Sequence, residues 1–508
     1  MDHTMIVVKA PDGFVNPSDI TPSSLRVRKA NLVQWSDFNE WTNTPKAFHD
    51  LGKLTPNGFE RNGENQVILL NPCESVATNL NLNTLGYQVN ADPTTIVWNG
   101  RIPFHKYASH PAGYEQWAFE VIKKSSEALK QVGILGAVAV STGTYNFDPS
   151  IIKGLVEAWC PNTNTFITPF GEIGISLWDL KCIGGLPIAG DLYEEYVPPN
   201  KDLYSKDTYS TTLQDLVKIY QWIHFYASGK TKKVPLSLWV EFFFKESHGK
   251  GKFVGDEAHP IPPASDECKL AAFLSLWLCC FIMPRKGSLI RPETFLMATK
   301  LASGMRIALA PAVLGYINTS LDAMALHPKG PCHASVYLPC HFFYGWIDAH
   351  LEGTYSRLNK PDDYIRNING LREIPSLAYI SGVKASTFTL KRARNILRME
   401  EYLKWRPFTC SDFKNEGWYE DHKEPNDDNK LGTAQAEYFI SLRQSILPLR
   451  LGNTLYAQQY NPHRFARQFG YDQGFPTEIQ EKNRSTILHS VSPAQRTTSV
   501  LVCTLLVS

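Results

Sequence analysis

Between residues 110 and 330, apolar side chains recur at steps of three and four, which is the period of helices that bury one face. One such stripe covers residues 114–132 and is followed by Gly133, where a helix would end. Asp148 and Pro149 then supply a cap and a first-turn proline for a second helix, whose apolar side continues to Trp159. Both segments predict amphipathic helices.

The helical pattern continues further along the chain. Residues 213–227 have helical period, residues 270–283 are apolar nearly all round, and another stripe runs from Phe295 to Met305. Pro311 fits the first turn of the helix that comes next. These stripes predict a core of helices packed on helices.

Short β-prone segments accompany the helices. NQVILL (65–70) and TTIVW (94–98) are typical of strands, and the segment 165–177 around a Pro-Phe-Gly turn is typical of a hairpin. Ser176 and Asp179 form a capping-box signature for the helix that follows. The fold class predicted is mainly α: a large irregular helical domain with a few short β-strands and hairpins.

Composition bounds the size of the interior. The chain has 508 residues, of which 43% are hydrophobic and 20% charged, so it has enough apolar surface for an extensive core. We predict an irregular N-terminal extension over residues 1–62, a helical domain over 63–475 and a short C-terminal tail over 476–508. The polar segment 417–430 is predicted to be an exposed loop.

The charge balance limits contact with nucleic acid to local patches. Lys and Arg number 51 against 49 Asp and Glu, a net charge of +2, far from the strongly basic surface of a protein that follows phosphates throughout. Two basic stretches are candidate contacts: Lys391, Arg392 and Arg394 in one, and Arg464 and Arg467 in the other. Solvated helix faces are the alternative interpretation.

Cysteine usage and the apolar runs favour an intracellular protein. The ten cysteines are scattered without a dense disulfide framework, and the first residues lack the pattern of a signal peptide. The apolar runs 270–283 and 500–507 are both shorter than the roughly 20 residues that cross a bilayer. We therefore expect no membrane association.

Two motifs resemble parts of catalytic or metal sites. Gly229-Lys230-Thr231 matches the end of a phosphate loop, but His224 stands where the first glycine of that loop is needed. The sequence 256–259 resembles a helicase box or part of a metallophosphatase motif, but the further blocks of metal ligands are missing. Solvated loops are the favoured interpretation of both.

Two Cys-His pairs, Cys332-His333 and Cys340-His341, offer four potential zinc ligands. Their spacing differs from that of zinc knuckles, so a packed turn near Phe342 is favoured over a zinc site. We expect no metal and no cofactor.

A set of ordered landmarks carries a family resemblance. They are large aromatic residues, a glutamate, a leucine, and glycines and prolines at predicted element ends: Trp159, Pro161, Phe166, Gly171, Glu172, Trp178, Gly185, Leu186, Pro187, Trp239, Trp277, Pro311, Trp405 and Pro407. Through them, roughly residues 70–475 resemble the plant mobile domain family, often labelled aminotransferase-like. We interpret the landmarks as architectural, because large aromatics fill cores and glycines and prolines shape element ends.

The resemblance implies a transposon-derived protein similar to the maintenance-of-meristems group, whose members act in the nucleus in transposon and gene silencing and in meristem development. It implies a noncatalytic scaffold with protein partners, including silencing factors and a phosphatase-type relative. A transposition role for an element-borne copy is the first alternative. An enzyme, either a transaminase or a phosphatase-like hydrolase, is the second, although the alternation of strands and helices that a transaminase needs is absent.

Overall fold

In the computed structural model of the chain, the described residues are 110–469 with internal gaps, together with three short strands between residues 53 and 70. The gaps fall at 146–147, 162, 169–170, 206–208, 246–252, 256, 258, 286–287, 326–337, 353, 355–359, 362, 372, 384–388, 398, 409–432 and 452–453. The following expectations therefore lie wholly or mostly outside the described residues: the N-terminal extension over 1–62, the strand over 94–98, the pair Cys332-His333, the loop over 417–430, and the C-terminal tail over 476–508 with its apolar run 500–507.

Helices dominate the described residues, as the apolar periodicity predicts. They are α1 (Tyr114–Gln131), α2 (Leu135–Val140), α3 (Pro149–Ala158), α4 (Leu177–Gly184), α5 (Asn200–Leu203), α6 (Thr211–Trp222), α7 (Leu236–Phe243), α8 (Asp266–Trp277), α9 (Phe295–Ala302), α10 (Leu309–Ala325), α11 (Cys340–His350), α12 (Asp363–Arg366), α13 (Leu390–Ile396) and α14 (Thr433–Arg443). A π turn extends α6 over Ile223–Ala227, and another extends α8 over Leu278–Ile282. Short 3-10 helices include Gly229–Thr231 and Pro462–Phe469. The mainly α class is confirmed.

The strands form three small three-stranded sheets. β1 (Lys53–Thr55), β2 (Gly58–Glu60) and β3 (Leu69–Leu70) are antiparallel neighbours, as are β4 (Trp159–Cys160), β5 (Thr165–Thr168) and β6 (Gly171–Ile173). In the third sheet, β7 (Glu194–Glu195) pairs in parallel with β8 (Ile446–Leu451), which pairs antiparallel with β9 (Thr454–Gln459). The hairpin predicted over 165–177 is thus confirmed as β5 and β6.

The local signals at helix ends act as expected. The Asp148 side chain accepts a hydrogen bond from the amide of Ser150 at the start of α3. At α4, the Ser176 hydroxyl accepts from the Asp179 amide, and the Asp179 carboxylate accepts from the Ser176 amide, which completes the capping box. Gly185 then ends α4 in the left-handed region at φ 68°. Each signal satisfies backbone groups that a helix end leaves open.

Two expectations about individual apolar positions are wrong. Trp159 does not continue the face of α3, because its backbone turns to an extended conformation and enters β4. Met305 lies beyond the end of α9 and is 41% exposed. In both cases the helical spacing persists in the sequence for a few residues after the helix itself has stopped.

One continuous apolar core links the described elements from Tyr114 to Phe469. The apolar segment 270–283 is part of it: α8 packs against α6, α9 and α1, and its residues from Ala271 to Trp277 are buried. Among the described residues, no helix is long and apolar enough to span a bilayer.

Candidate functional site

The landmark aromatics lie inside the core. The six rings are buried: Trp159, Phe166, Trp178, Trp239, Trp277 and Trp405. The indole of Trp159 packs 5.0 Å from the ring of Phe166 and donates a hydrogen bond of 2.8 Å to Asp322. The indole of Trp239 donates to the carbonyl of Ala272 on α8. These rings fix one element against another.

The landmark prolines and Leu186 mark the ends and connections of elements. Pro161 follows β4, Leu186 and Pro187 follow α4, and all three are buried, as is Pro311 in the first turn of α10. Pro407 lies after the last 3-10 turn before the gap at 409–432 and is half-buried. These positions suit residues that change the direction of the chain between elements and pack in the interior.

The landmark glutamate, Glu172 on β6, holds an arginine from the far end of the described chain. Arg464 donates to both of its carboxylate oxygens, at 2.7 and 2.8 Å, and the Thr165 hydroxyl donates to Oε2 at 2.7 Å. Glu172 is 1% and Arg464 6% exposed. A bidentate pair with this burial fixes the hairpin against the 3-10 helix Pro462–Phe469.

A second bidentate pair joins α3 to α13. Arg394 donates to both carboxylate oxygens of Glu157, each at 2.7 Å, and both side chains are buried. Arg394 and Arg464 were candidate nucleic-acid contacts, but each guanidinium is turned into the interior and held by a carboxylate. Three candidate contacts lie outside these two pairs: Lys391 and Arg392, which are exposed, and Arg467, which is half-buried.

Glu195 and Glu437 are further buried carboxylates, each held by two cations. Glu195 on β7 contacts Arg285 at 2.7 Å and Arg291 at 2.9 Å. Spacing in the sequence gives no signal of these clusters, because their members are distant along the chain.

The Glu437 carboxylate on α14 contacts Arg306 at 2.6 Å and Lys181 at 3.1 Å, and it accepts hydrogen bonds from the amides of Ile188 and Ala189. Burial alone would raise the pKa of Glu437, but Lys181, Arg306 and the Ile188 amide outweigh it and hold the pKa below its usual value. Glu437 thereby joins α4, α14 and the chain before α10.

Ser176, Asp179 and His350 bring together the residue types of a catalytic triad. The His350 Nε2 lies 3.0 Å from Asp179 Oδ1, and its Nδ1 donates to the carbonyl of Lys404 at 3.0 Å. The Ser176 hydroxyl, however, accepts from the Asp179 amide as a helix cap, and the His350 ring contacts the Asp179 carboxylate, whereas a nucleophilic serine needs a hydrogen bond to the histidine that activates it. His350 and Asp179 are 1% and 5% exposed, so the set joins α4 to α11 inside the core.

A buried polar cluster lies between α1, α2 and α11. It consists of His110, Tyr114, Ser141, Tyr145, Cys280 and His341. Burial lowers the pKa of His110 to about 4 and that of His341 well below its usual value, and it raises the pKa of Tyr114, Tyr145 and Cys280.

Every shift in this cluster favours the uncharged form. Ser141 donates to the carbonyl of Val138 at 2.7 Å, and Tyr145 donates to that of Val140 at 2.6 Å. A nucleophile or general base near neutral pH needs the opposite shifts, namely an acidified thiol or a basic imidazole. The cluster is suited to supplying hydrogen-bond donors to the carbonyl groups at the end of α2 within the core.

The proposed metal and phosphate motifs fall on unsuitable positions. Cys340 and His341 form the first turn of α11, where the His341 ring stacks 4.2 Å from Phe281; the other Cys-His pair lies outside the described residues. Across the described ranges, no group of three or more His, Cys, Asp or Glu side chains is placed to bind a metal ion. Gly229–Thr231 forms a 3-10 turn after a helix, whereas a phosphate loop follows a strand.

Surface cations mark the candidate interaction face. Lys391 and Arg392 are exposed on α13, whereas Ala393 and Arg394 are buried. Arg467 is half-buried, with its guanidinium 5.3 Å from the centre of the Trp405 ring. We call the exposed pair Lys391 and Arg392 the α13 face.

Comparison with known proteins gives one match. The family model described as "Plant mobile domain" matches residues 133–500. No curated protein and no solved structure matches the chain.

Proposed function

The chain belongs to the plant mobile domain family, and from this membership we propose that it is a noncatalytic nuclear scaffold of the maintenance-of-meristems type that acts in transposon and gene silencing and in meristem development. The family is related to mobile elements, as its name states. Its partners are proteins of the silencing machinery, including a phosphatase-type relative, and the α13 face presents exposed positive charge to nucleic acid or an acidic protein segment.

One observation carries the proposal of a scaffold. Three of the landmark side chains join elements to one another: Glu172 is held by Arg464, Trp159 by Asp322 and Trp239 by a backbone carbonyl. Residues that serve catalysis converge instead on an accessible point with shifted pKa values suited to proton transfer. The landmarks thus support a rigid body that recognises partners through its surface.

Silencing is tested by loss of the chain in the plant that encodes it. We expect transcripts of mobile elements to rise several-fold in RNA sequencing of the null line, and a wild-type transgene to restore silencing. A transgene with Lys391→Glu and Arg392→Glu is expected to be nuclear and folded but to restore silencing poorly. A null line with unchanged transcripts from mobile elements would contradict the proposal.

A second candidate is a role in transposition, which the family's relation to mobile elements favours. It predicts terminal repeats or a transposase gene next to the coding sequence. Enzyme activity is tested on purified protein. A pyridoxal absorbance band would contradict the scaffold proposal in favour of a transaminase, and stoichiometric bound metal would contradict it in favour of a hydrolase.

A further inference from the structure

An exposed group of aromatic rings and lysines lies at the end of α6. We call it the aromatic-lysine patch and define it by six residues: Phe225, Tyr226, Lys230, Lys232, Lys233 and His259. All six are exposed. None of them belongs to the family landmarks or to the α13 face.

The π turn brings the two aromatic rings to the surface. The α-helical part of α6 ends at Trp222, and the wider turn Ile223–Ala227 buries its first and last residues while its middle faces outward. Phe225 is 58% and Tyr226 49% exposed. Rings of this size are normally buried, so two adjacent exposed ones indicate a surface that binds something. Single π turns of this kind are frequent at functional sites.

Neighbouring side chains hold the rings in place. The Tyr226 ring lies 4.5 Å from the His259 ring, and the Trp222 indole donates to the His259 carbonyl at 3.2 Å, which fixes the loop that carries this histidine. Lys232 donates to the carbonyl of Phe225 at 2.7 Å, and its ammonium lies 5.8 Å from the centre of that ring. Ring faces and a cation are thereby preorganised side by side.

The local charge identifies the ligand as an anion. Residues 222–233 contain three lysines and no acidic residue, although the whole chain has a net charge of only +2. The neighbouring loop adds two acidic residues in the sequence, Asp256 and Glu257, so the three lysines still outnumber the acidic residues of both segments. Lys232 has a left-handed backbone at φ 47°, which is a costly conformation for a lysine. It persists because the surrounding structure holds the residue in this position.

From this arrangement we infer that the aromatic-lysine patch binds single-stranded nucleic acid. Exposed ring faces stack on unpaired bases, and lysines contact the phosphates between them. A duplex hides its base faces within its own stack, and the carboxylates of an acidic peptide match the lysines but have no aromatic face to stack on Phe225 and Tyr226. The inference does not depend on the proposed silencing function.

Binding is measured by fluorescence anisotropy of a labelled oligothymidine with the full chain at several salt concentrations. Phe225→Leu keeps an apolar side chain but loses the π face, so we expect Kd to rise about tenfold, in the range of one lost stacking contact. Tyr226→Leu is expected to act similarly. In the double variant Lys230→Gln, Lys233→Gln, the slope of log K against log salt is expected to fall in magnitude by about 1.4, or about 0.7 for each lost phosphate contact.

The matched control is the double variant Lys123→Gln, Lys124→Gln, which removes two exposed charges from α1 and is expected to leave Kd and the salt slope unchanged. Circular dichroism confirms that each variant folds. The inference is overturned if the wild-type chain does not bind oligothymidine, or if both leucine variants bind as tightly as wild type. It is overturned also if a polyglutamate peptide displaces the oligonucleotide at equal charge concentration, since the partner would then be an acidic protein.

Discussion

At the scale of single residues, buried ion pairs decide which arginines are structural. The helical segments around Arg394 and Arg464 look like basic surface patches in the sequence, because their partners Glu157 and Glu172 lie 237 and 292 residues away along the chain. A sequence shows charge but not distant countercharge. By contrast, the core position of the landmark tryptophans follows from size and hydrophobicity alone, and these rings are buried.

Arg464→Met tests the pair with Glu172. It leaves a carboxylate that is 1% exposed without its guanidinium, so we expect a loss of about 3–5 kcal/mol in the free energy of unfolding, measured in urea. The double variant Glu172→Gln, Arg464→Met is expected to recover part of that loss. Arg467→Met, half-buried in the same 3-10 helix, serves as control and is expected to lose about 1 kcal/mol or less. A loss for Arg464→Met no larger than that of the control would refute the assignment.

At the scale of elements, local signals predict helix ends well and strand pairing poorly. The capping box at Ser176 and the hairpin at residues 165–177 follow from short-range chemistry, and both are present. The hairpin of β8 and β9 is not among the predicted elements, although Gly452-Asn453 between two β-prone runs is a turn signal. The parallel pairing of β7 with β8 has no local signal, because its two strands come from segments about half the chain apart.

Ser176→Ala removes the side-chain half of the capping box. We expect the free energy of unfolding to fall by about 1 kcal/mol, because the Asp179 amide loses its acceptor in a buried helix end. Ser237→Ala, at an exposed position in α7, is the control and is expected to change stability by less than about 0.5 kcal/mol. Equal effects of the two substitutions would contradict the role of the cap.

Two glycines with a similar left-handed backbone allow the cost of backbone strain to be distinguished from the cost of a steric clash. Gly185 has φ 68° and a Cβ there would lie 3.0 Å from the Ala137 amide nitrogen, whereas Gly229 has φ 63° and open space within 4 Å. We expect Gly229→Ala to cost about 1 kcal/mol from backbone strain and Gly185→Ala clearly more. Thermal unfolding of both variants checks this order, and the reverse order would show that α4 does not pack on α2 in this way.

At the scale of the whole molecule, one core collects elements from both ends of the range 110–469. The sequence predicts the class of this fold, because helical periodicity is a local property. It does not predict which helices touch, because that depends on side chains such as Glu437, which joins α4, α14 and Arg306. The predicted domain limits at residues 62 and 475, nuclear location and partners stay predictions.

Acid is expected to weaken the ion cluster that Glu437 forms with Lys181 and Arg306. The pKa of Glu437 is lower in the folded chain than in the unfolded chain, so its stabilising contribution is present above the unfolded value of about 4.3 and is lost as pH falls through the folded value. Glu437→Gln is therefore expected to destabilise the chain strongly at pH 7 and less at pH 3.5, as measured by urea unfolding. Glu127→Gln, on an exposed α1 side chain, is expected to differ little from wild type at either pH; a pH-independent effect of Glu437→Gln would be inconsistent with the ion cluster.

The pair of Glu172 and Arg464 also has a consequence during synthesis. The arginine is translated 292 residues after the glutamate, which takes roughly 15 to 60 s at ribosomal rates of about 5–20 residues per second. For that interval the emerging polypeptide carries an unneutralised carboxylate beside apolar surface that has not yet been covered. We expect the nascent chain to need chaperones until its last core segment leaves the ribosome.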